Sequence, residues 1–379
     1  PALIGTLGKW ISGGSEWNFP HHHKATTMMS MDYLMEENED GSVTLWLAET
    51  ERRHRLRITL SLTLHPDRSY LEMGVNPYNP TPFVHSFLYF ANPAVHVDSS
   101  YQVFFPPNVQ YVTQHAKKEF IQWPVASGRY GGKYYRDVDI SWWKNLSSPV
   151  SFFAWNDEQD FFAGYDHGKQ AGVAYVANHH LAPGMKFFTF GSGKAGQACD
   201  KRLTDSDGPY LELMAGVFSD NQPDYSWAQP YENKIAYQYW YPVREIANMH
   251  YADLEGALNL DIDHFPFVKI ELNSTREIKS ARARIEAGED LLWEELLDVS
   301  PGNPYRADFA VPEDTDPYSI LFTLTGMDSV VIMEYAPEKR VPLEMPTPVT
   351  PPESPEEIAS VEELFLAGLR LDQFYNAQV

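Results

Sequence analysis

The segment "RITLSLTLHPDRSYLEMGV", residues 57–75, decides how this chain is read. Leu56, Ile58, Leu60, Leu62 and Leu64 alternate with Arg57, Thr59, Ser61 and Thr63, the period of a strand with one face buried and the other wet. "HPDRS" supplies turn residues into a following strand, "YLEMGV". Upstream, "SVTLWLAE" places Val43, Leu45 and Leu47 inward, and Asp40-Gly41 joins it to a run from Met28 to Glu36. A four-stranded antiparallel meander is expected.

Working outward, "FVHSFLYFAN", "SFFAWN", "FFAGYD", "AGVAYVAN", "MKFFTFG", "PYLELMAGV" and "KIAYQYWYPV" repeat the strand pattern with Gly, Pro and Asn between them, and no helical pattern of comparable strength interrupts them. So many strands, in a chain that is 14% aromatic, predict a mainly β protein built on a large antiparallel sandwich of two sheets over residues 1–257. From Leu258 the pattern restarts in shorter strands, "FVKIELNS", "KSARARIEAG", "YSILFTLTG" and "SVVIMEYAP", predicting a small immunoglobulin-like β domain over 258–340. Residues 341–357 are too rich in proline for a strand or helix interior and read as an extended linker. Within 358–379, Val361, Leu364, Phe365, Gly368, Leu371 and Tyr375 share one helical face, either the start of a helical array or a helix folded back on the second domain.

The 379 residues carry a net charge of -23, which opposes the phosphate neutralisation that nucleic-acid binding requires. No apolar run is long enough to span a membrane. The single cysteine, Cys199, excludes an intrachain disulfide and favours a cytoplasmic location. The chain opens at Pro1 inside an apparent motif, so preceding strands or a leader are expected to be missing.

Candidate chemistry begins at "SGGSEWNFPHHHKATTM", residues 12–28. In an extended run His21 and His23 face one way and His22 the other, so these histidines alone do not build a metal site, and neither metal nor cofactor is expected. Gly13-Gly14 allows close backbone approach, while Glu16, Asn18, His22 and His23 offer proton donors and acceptors beside Trp17 and Phe19. That mixture suits a sugar, whose hydroxyls need directional partners and whose C–H faces lie on aromatic rings; ordinary core packing is the alternative for both rings. In "PYLELMAGVFSDNQPDYSWAQPYENK", Glu212 shares a strand face with Tyr210 and Met214, opposite Leu211 and Leu213. A carboxyl among apolar neighbours has its pKa raised toward the range of a general acid or base; an edge-strand carboxylate in water is the alternative. Asp220, Asn221 and Asp224 read as turn residues, and Asp157 to Asp160 as a solvated hairpin turn. His167, at a strand end, is a candidate for a pocket rim, with Trp142 and Trp143 as candidate stacking platforms.

The phrases "WISGGSEWNFPHHHKATT", "VNPYNPTPFVHSFLYFANPAVHV", "YLELMAGVFSDNQPDYSWAQPYE" and "YQYWYPV" resemble an uncharacterised bacterial domain of the galactose-mutarotase-like superfamily that precedes tetratricopeptide repeats. The resemblance covers about residues 1–259 and implies a mutarotase-like supersandwich, with "VEELFLAGLRLDQFY" similar to the opening helix of such repeats. It implies a carbohydrate-active domain and places Glu212 where mutarotases carry their general base, with the amide Gln222 following before Pro-Asp. Their histidine acid lies in a His-Pro-Tyr-Phe phrase; here "HSFLYFAN" has Phe87, Leu88 and Tyr89 in that register, so His22 or His23 is the expected substitute.

The resulting expectation is Glu/His acid-base chemistry at a glycosidic or anomeric centre: a glycoside hydrolase, with an aldose epimerase or a non-catalytic sugar-binding module as alternatives. The expected ligand is a mono- or oligosaccharide, with a protein partner reached through helical repeats.

Overall fold

The computed structural model describes residues 12–21, 23, 27, 29–204, 206–221, 224–350 and 353–376, excepting the side chains of 370 and 372–376. The expected meander is present: Asp32–Glu37, Val43–Thr50, Arg57–Leu64 and Leu71–Tyr78 pair antiparallel in that order. They continue through Ala236–Arg244, Ala171–Val176 and Phe161–Asp166 to Tyr101–Phe104, completing an eight-stranded sheet. A seven-stranded sheet opposes it, in the order Ser15–Asn18, Tyr89–His96, Tyr210–Val217, Gly184–Thr189, Val150–Trp155, Tyr111–Thr113, Phe120–Gln122. Leu56, Ile58, Leu60 and Val75 from the first sheet and Leu211, Leu213, Phe152 and Phe187 from the second belong to one buried core. The protein is mainly β, and its largest unit is an antiparallel sandwich.

The alternation around residue 60 holds only where the opposing sheet covers it. Val43, expected inward, is exposed, as is its cross-strand partner Leu64. Here the strands have run past the apolar core, while on the opposite face of the sheet Thr44 and Thr63 are buried and join hydroxyls at 2.9 Å, and Asn38 donates to Thr44 at 3.0 Å. A helix at Lys194–Leu203, with no counterpart in the sequence reading, interrupts the strands. Its composition is largely polar and it is only 10 residues long, so hydrophobic periodicity could not reveal it.

A second pair of sheets follows, each of four strands. Tyr251–Ala252, Gly256–Asp261, Phe267–Ser274 and Tyr305–Ala310 form one, and Asp290–Val299, Ile278–Ala287, Ile320–Thr325 and Val331–Tyr335 the other. They enclose a separate core that includes Leu260, Ile270, Ile285 and Phe322. This unit packs on the outer face of the eight-stranded sheet, where Phe161, Tyr165 and Tyr241 meet Ile246, Met249 and Ala257. Tyr241 secures the seam by donating its hydroxyl to the carbonyls of Asp253 at 2.9 Å and Gly256 at 3.0 Å.

Among its described residues the proline-rich segment carries no helix or strand, yet it is held as a strap. Arg340 donates to the carbonyls of Trp123 at 2.9 Å and Val109 at 3.3 Å, Tyr111 donates to the Leu343 carbonyl at 2.8 Å, and the Val349 N–H donates to the Lys117 carbonyl at 2.9 Å. Proline removes N–H donors, but a sheet edge can still use the carbonyls that remain. Arg340→Ala would leave two carbonyls without their donor and is expected to lower stability by about 1–3 kcal/mol, measured as a shift of the urea midpoint. The terminal helix forms at Val361–Asn376 with Val361, Leu364, Phe365 and Leu371 exposed.

Candidate functional site

Glu212 projects from the face of the seven-stranded sheet that looks away from the core, since Leu211, Leu213 and Ala215 point inward. Alternation would leave this outer face wet, but it is covered: Tyr210, Met214, Phe90, Phe153 and Lys186 are buried there. The cover comes from loops. The opening segment crosses one end, where Gly13 and Gly14 take positive φ of 80° and 65° and the Gly14 carbonyl accepts the N–H of Ala94, the cross-strand neighbour of Glu212. Gly216 leaves room for the Phe90 ring, because a Cβ there would lie 2.5 Å from Phe90 Cζ. The segment after Gly216 returns over the face and inserts Tyr225 beside Leu88, Phe90 and Met214.

Two polar groups flank Glu212. On one side, Glu16 lies opposite Asn92 in the register, and its buried carboxylate receives Nδ1 of His23 at 3.0 Å and the hydroxyl of Thr27 at 3.4 Å. A carboxylate on Nδ1 fixes the orientation and tautomer of the imidazole. On the other side, Nζ of Lys186 lies 3.0 Å from Nε2 of His115 and 4.6 Å from the centre of the Phe153 ring. Burial pushes the Glu212 pKa up, against the opposing pull of Lys186 and His23; Glu16 adds to the rise. Burial likewise pushes Lys186 down, opposed by Glu212. Asn92 is buried with neither its amide oxygen nor its nitrogen paired among the described residues, and the Asn18 oxygen is in the same state. Buried amides without partners mark places where a polar ligand or water is accommodated.

The structure therefore brings Glu212, Glu16, Asn18 and His23 onto one side of one sheet. His22 and Gln222 lie outside the described residues. Trp17 alternates to the inner side and packs against the core, where Phe19 is fully buried, so neither ring is a platform on the face of Glu212. Trp143 is also core, with its indole N–H donating to Thr189 at 3.0 Å, which removes it as a stacking platform. His167 stacks on Trp142 at 4.9 Å and approaches Gln102 Oε1 at 2.9 Å. Both belong to the edge of the eight-stranded sheet formed by Tyr101–Phe104 and Phe161–Asp166, and are not gathered with Glu212.

Lys186, His115 and Asn92 were missed in the sequence. A lysine inside the apolar run "GMKFFTF" and an asparagine inside "YFANPAV" were the available signals, since polar residues survive on a covered sheet face only with a task or a partner. The turn reading of Asp220, Asn221 and Asp224 holds in part, because the Asp224 N–H donates to the Asn221 carbonyl at 3.1 Å. These residues also clamp the loop: Lys117 pairs with Asp220 at 2.9 Å and Asp224 at 2.5 Å, and Asn221 donates to the Gln114 carbonyl at 2.7 Å.

A separate cavity of about 490 Å³ lies at the junction with the second unit, lined by residues including Asp160, His179, Tyr239, Tyr251 and Asp253. The neighbouring Asp157 corrects the expectation of a solvated turn: one of its oxygens is buried without a partner among the described residues, and burial pushes its pKa up to about 7. A folded-state pKa above the unfolded one gives stability that is present in full at low pH and lost as pH rises through the folded value. Asp157→Asn retains an acceptor for the Gln159 N–H. Its stability gain is expected to grow between pH 4 and 7 and to level above that at about 2–4 kcal/mol, measured by thermal melts across that range.

Residues 2–243 match the model of a family described as a domain of unknown function, DUF5107. The chain belongs to this family. Beyond the DUF5107 domain, residues 251–335 match the second domain of YphG-like proteins. Among solved structures, a TPR-domain containing protein from Parabacteroides distasonis is similar over 64% of this chain and 40% of its own, at 20% identity and a TM-score of 0.55. Galactose 1-epimerase from Lactobacillus acidophilus matches 58% of this chain and 68% of its own, at 9% identity and a TM-score of 0.41. A galactose mutarotase-like protein from Lactobacillus casei matches 56% and 73%, at 8% identity and a TM-score of 0.37. The chain thus spans well under half the length of the TPR-domain protein.

Proposed function

We propose that the DUF5107 domain is a carbohydrate-active enzyme that moves protons at the anomeric centre of an aldose. The observation that carries this reading is Glu212, a carboxyl whose pKa burial raises, on the same covered face as a histidine held by Glu16. In ring opening, Glu212 takes the proton of the anomeric hydroxyl while the C1–O5 bond breaks and O5 receives a proton from the imidazolium of His23. Reversal after rotation about the C1–C2 bond gives the other anomer, and both groups return to their starting states. Asn92 and Asn18 are suited to hold sugar hydroxyls, because their unpaired amide atoms would otherwise remain unsatisfied.

Glycoside hydrolysis calls for two carboxyl groups flanking the bond. Glu16 is the second carboxylate on this face, but His23 and Thr27 already engage it, which favours epimerisation over hydrolysis. The test is turnover by the intact protein: anomer interconversion of aldoses followed by NMR, beside aglycone release from aryl glycosides. Interconversion that exceeds the buffer rate supports the proposal, aglycone release alone replaces it with hydrolysis, and sugar binding with neither activity replaces it with a binding module. A helix-mediated protein partner remains part of the proposal, with the exposed residues of Val361–Asn376 as its surface.

A further inference from the structure

Lys186 is 5% exposed and sits in the strand Gly184–Thr189 beside Met185, Phe187 and Phe188. In the register Glu212 faces Phe188 and Lys186 faces Met214, so Glu212 and Lys186 are diagonal neighbours on one sheet face. Such residues stand roughly 7–8 Å apart at the backbone, within reach of long side chains. Among the described residues no carboxylate lies within ion-pair distance of Lys186; its neighbours are His115 and the rings of Phe153 and Phe90, at 4.6 and 6.0 Å. Ring faces and one imidazole compensate poorly for removing an ammonium from water. If packing alone were at stake, a methionine would fill the space at lower cost.

We propose that Lys186 is a positioning residue of this site: its ammonium, held in place by His115, stabilises the carboxylate form of Glu212 and so sets the pH range in which Glu212 accepts a proton. This inference rests on the anomeric reading for its catalytic meaning. Other groups among the described residues bear on the same balance. Glu16 and His23 act on Glu212 from the opening segment, Tyr210 from its own strand, and His115 holds Lys186 from the hairpin. That hairpin is fixed in turn by Asn221, whose oxygen accepts the Ala116 N–H at 3.3 Å, and by the strap at Val349. The cationic arm is therefore built from parts of the chain far apart in sequence, as expected of a positioned group and not of a stray surface lysine.

The decisive experiment follows the Glu212 carboxyl itself, by carbon NMR of protein labelled at glutamate, with the Glu212→Gln spectrum identifying the signal. Lys186→Met keeps the length and apolar stem but removes the charge, and is expected to raise the Glu212 midpoint by about one pH unit, a roughly tenfold loss of carboxylate at a given pH. Lys186→Arg is expected to restore the midpoint and to confirm that a folded site tolerates substitution there. Where turnover is present, the acid limb of kcat/KM should move upward with the midpoint in the methionine variant. A midpoint that stays within about 0.3 unit of wild type, or falls, overturns the inference whatever the activity. A midpoint that moves as expected in a protein without turnover overturns the anomeric reading and leaves the coupling of Lys186 to Glu212 standing.

Discussion

Glu212→Gln is expected to reduce turnover of the sugar substrate by about 10²-fold or more while leaving sugar binding within a few-fold of wild type. Glutamine keeps the volume and one acceptor oxygen of glutamate, so the covered face around Tyr210 and Met214 need not repack. What it loses is the proton site. If Glu212 is the base, the loss falls on kcat, because the missing interaction belongs to the transition state. The wild-type profile should carry the same signature. Burial pushes Glu212 up, so activity that needs the carboxylate is lost as pH falls through a range higher than that of an ordinary glutamate. Full turnover in the glutamine variant would remove Glu212 from the reaction. Loss of binding together with turnover would make Glu212 a ligand contact and not a base.

Phe187→Ala is expected to destabilise the protein by about 3–5 kcal/mol, the largest effect on folding among these substitutions. Phe187 is fully buried between the two large sheets, 5.1 Å from the Phe152 ring and 6.0 Å from those of Phe105 and Trp123. Removing an aromatic ring here leaves a cavity that rigid neighbouring strands fill only in part. Its chain neighbours Lys186 and Phe188 point to the other face, so the same strand anchors the core and presents the candidate site. Guanidinium unfolding would measure the loss as a lower midpoint at an unchanged slope. A loss below about 1 kcal/mol would mean that the interior at Phe187 is far more compliant than its burial implies.

Legibility of the fold varied with how each strand face is covered. From Leu56 to Leu60 the alternation could be read directly, because one face of that strand meets the core and the other meets solvent. At Tyr210–Val217 it could not: Glu212 is half-buried and every other residue is buried, since loops cover the face opposite the core. The local signal at Glu212 was a carboxyl in an apolar run, but nothing local distinguished the inward Trp17 from the outward Glu16 and Asn18. The proline-rich segment was legible as non-helical, but not as a strap, because its partners Val109, Tyr111 and Lys117 lie more than 200 residues earlier.

By itself, then, the sequence determined what short-range physics controls: strand period, the turn at Asp40-Gly41, the absence of a membrane-spanning run, and the terminal helix at Val361–Asn376. The tertiary structure alone decided which polar residues meet. Glu16, Lys186 and Glu212 come from three different strands, and His115 comes from a hairpin turn. Their assembly depends on the order in which strands lie side by side in the seven-stranded sheet. That order is fixed by non-local pairing and by burial of a shared core, to which no window of neighbouring residues has access.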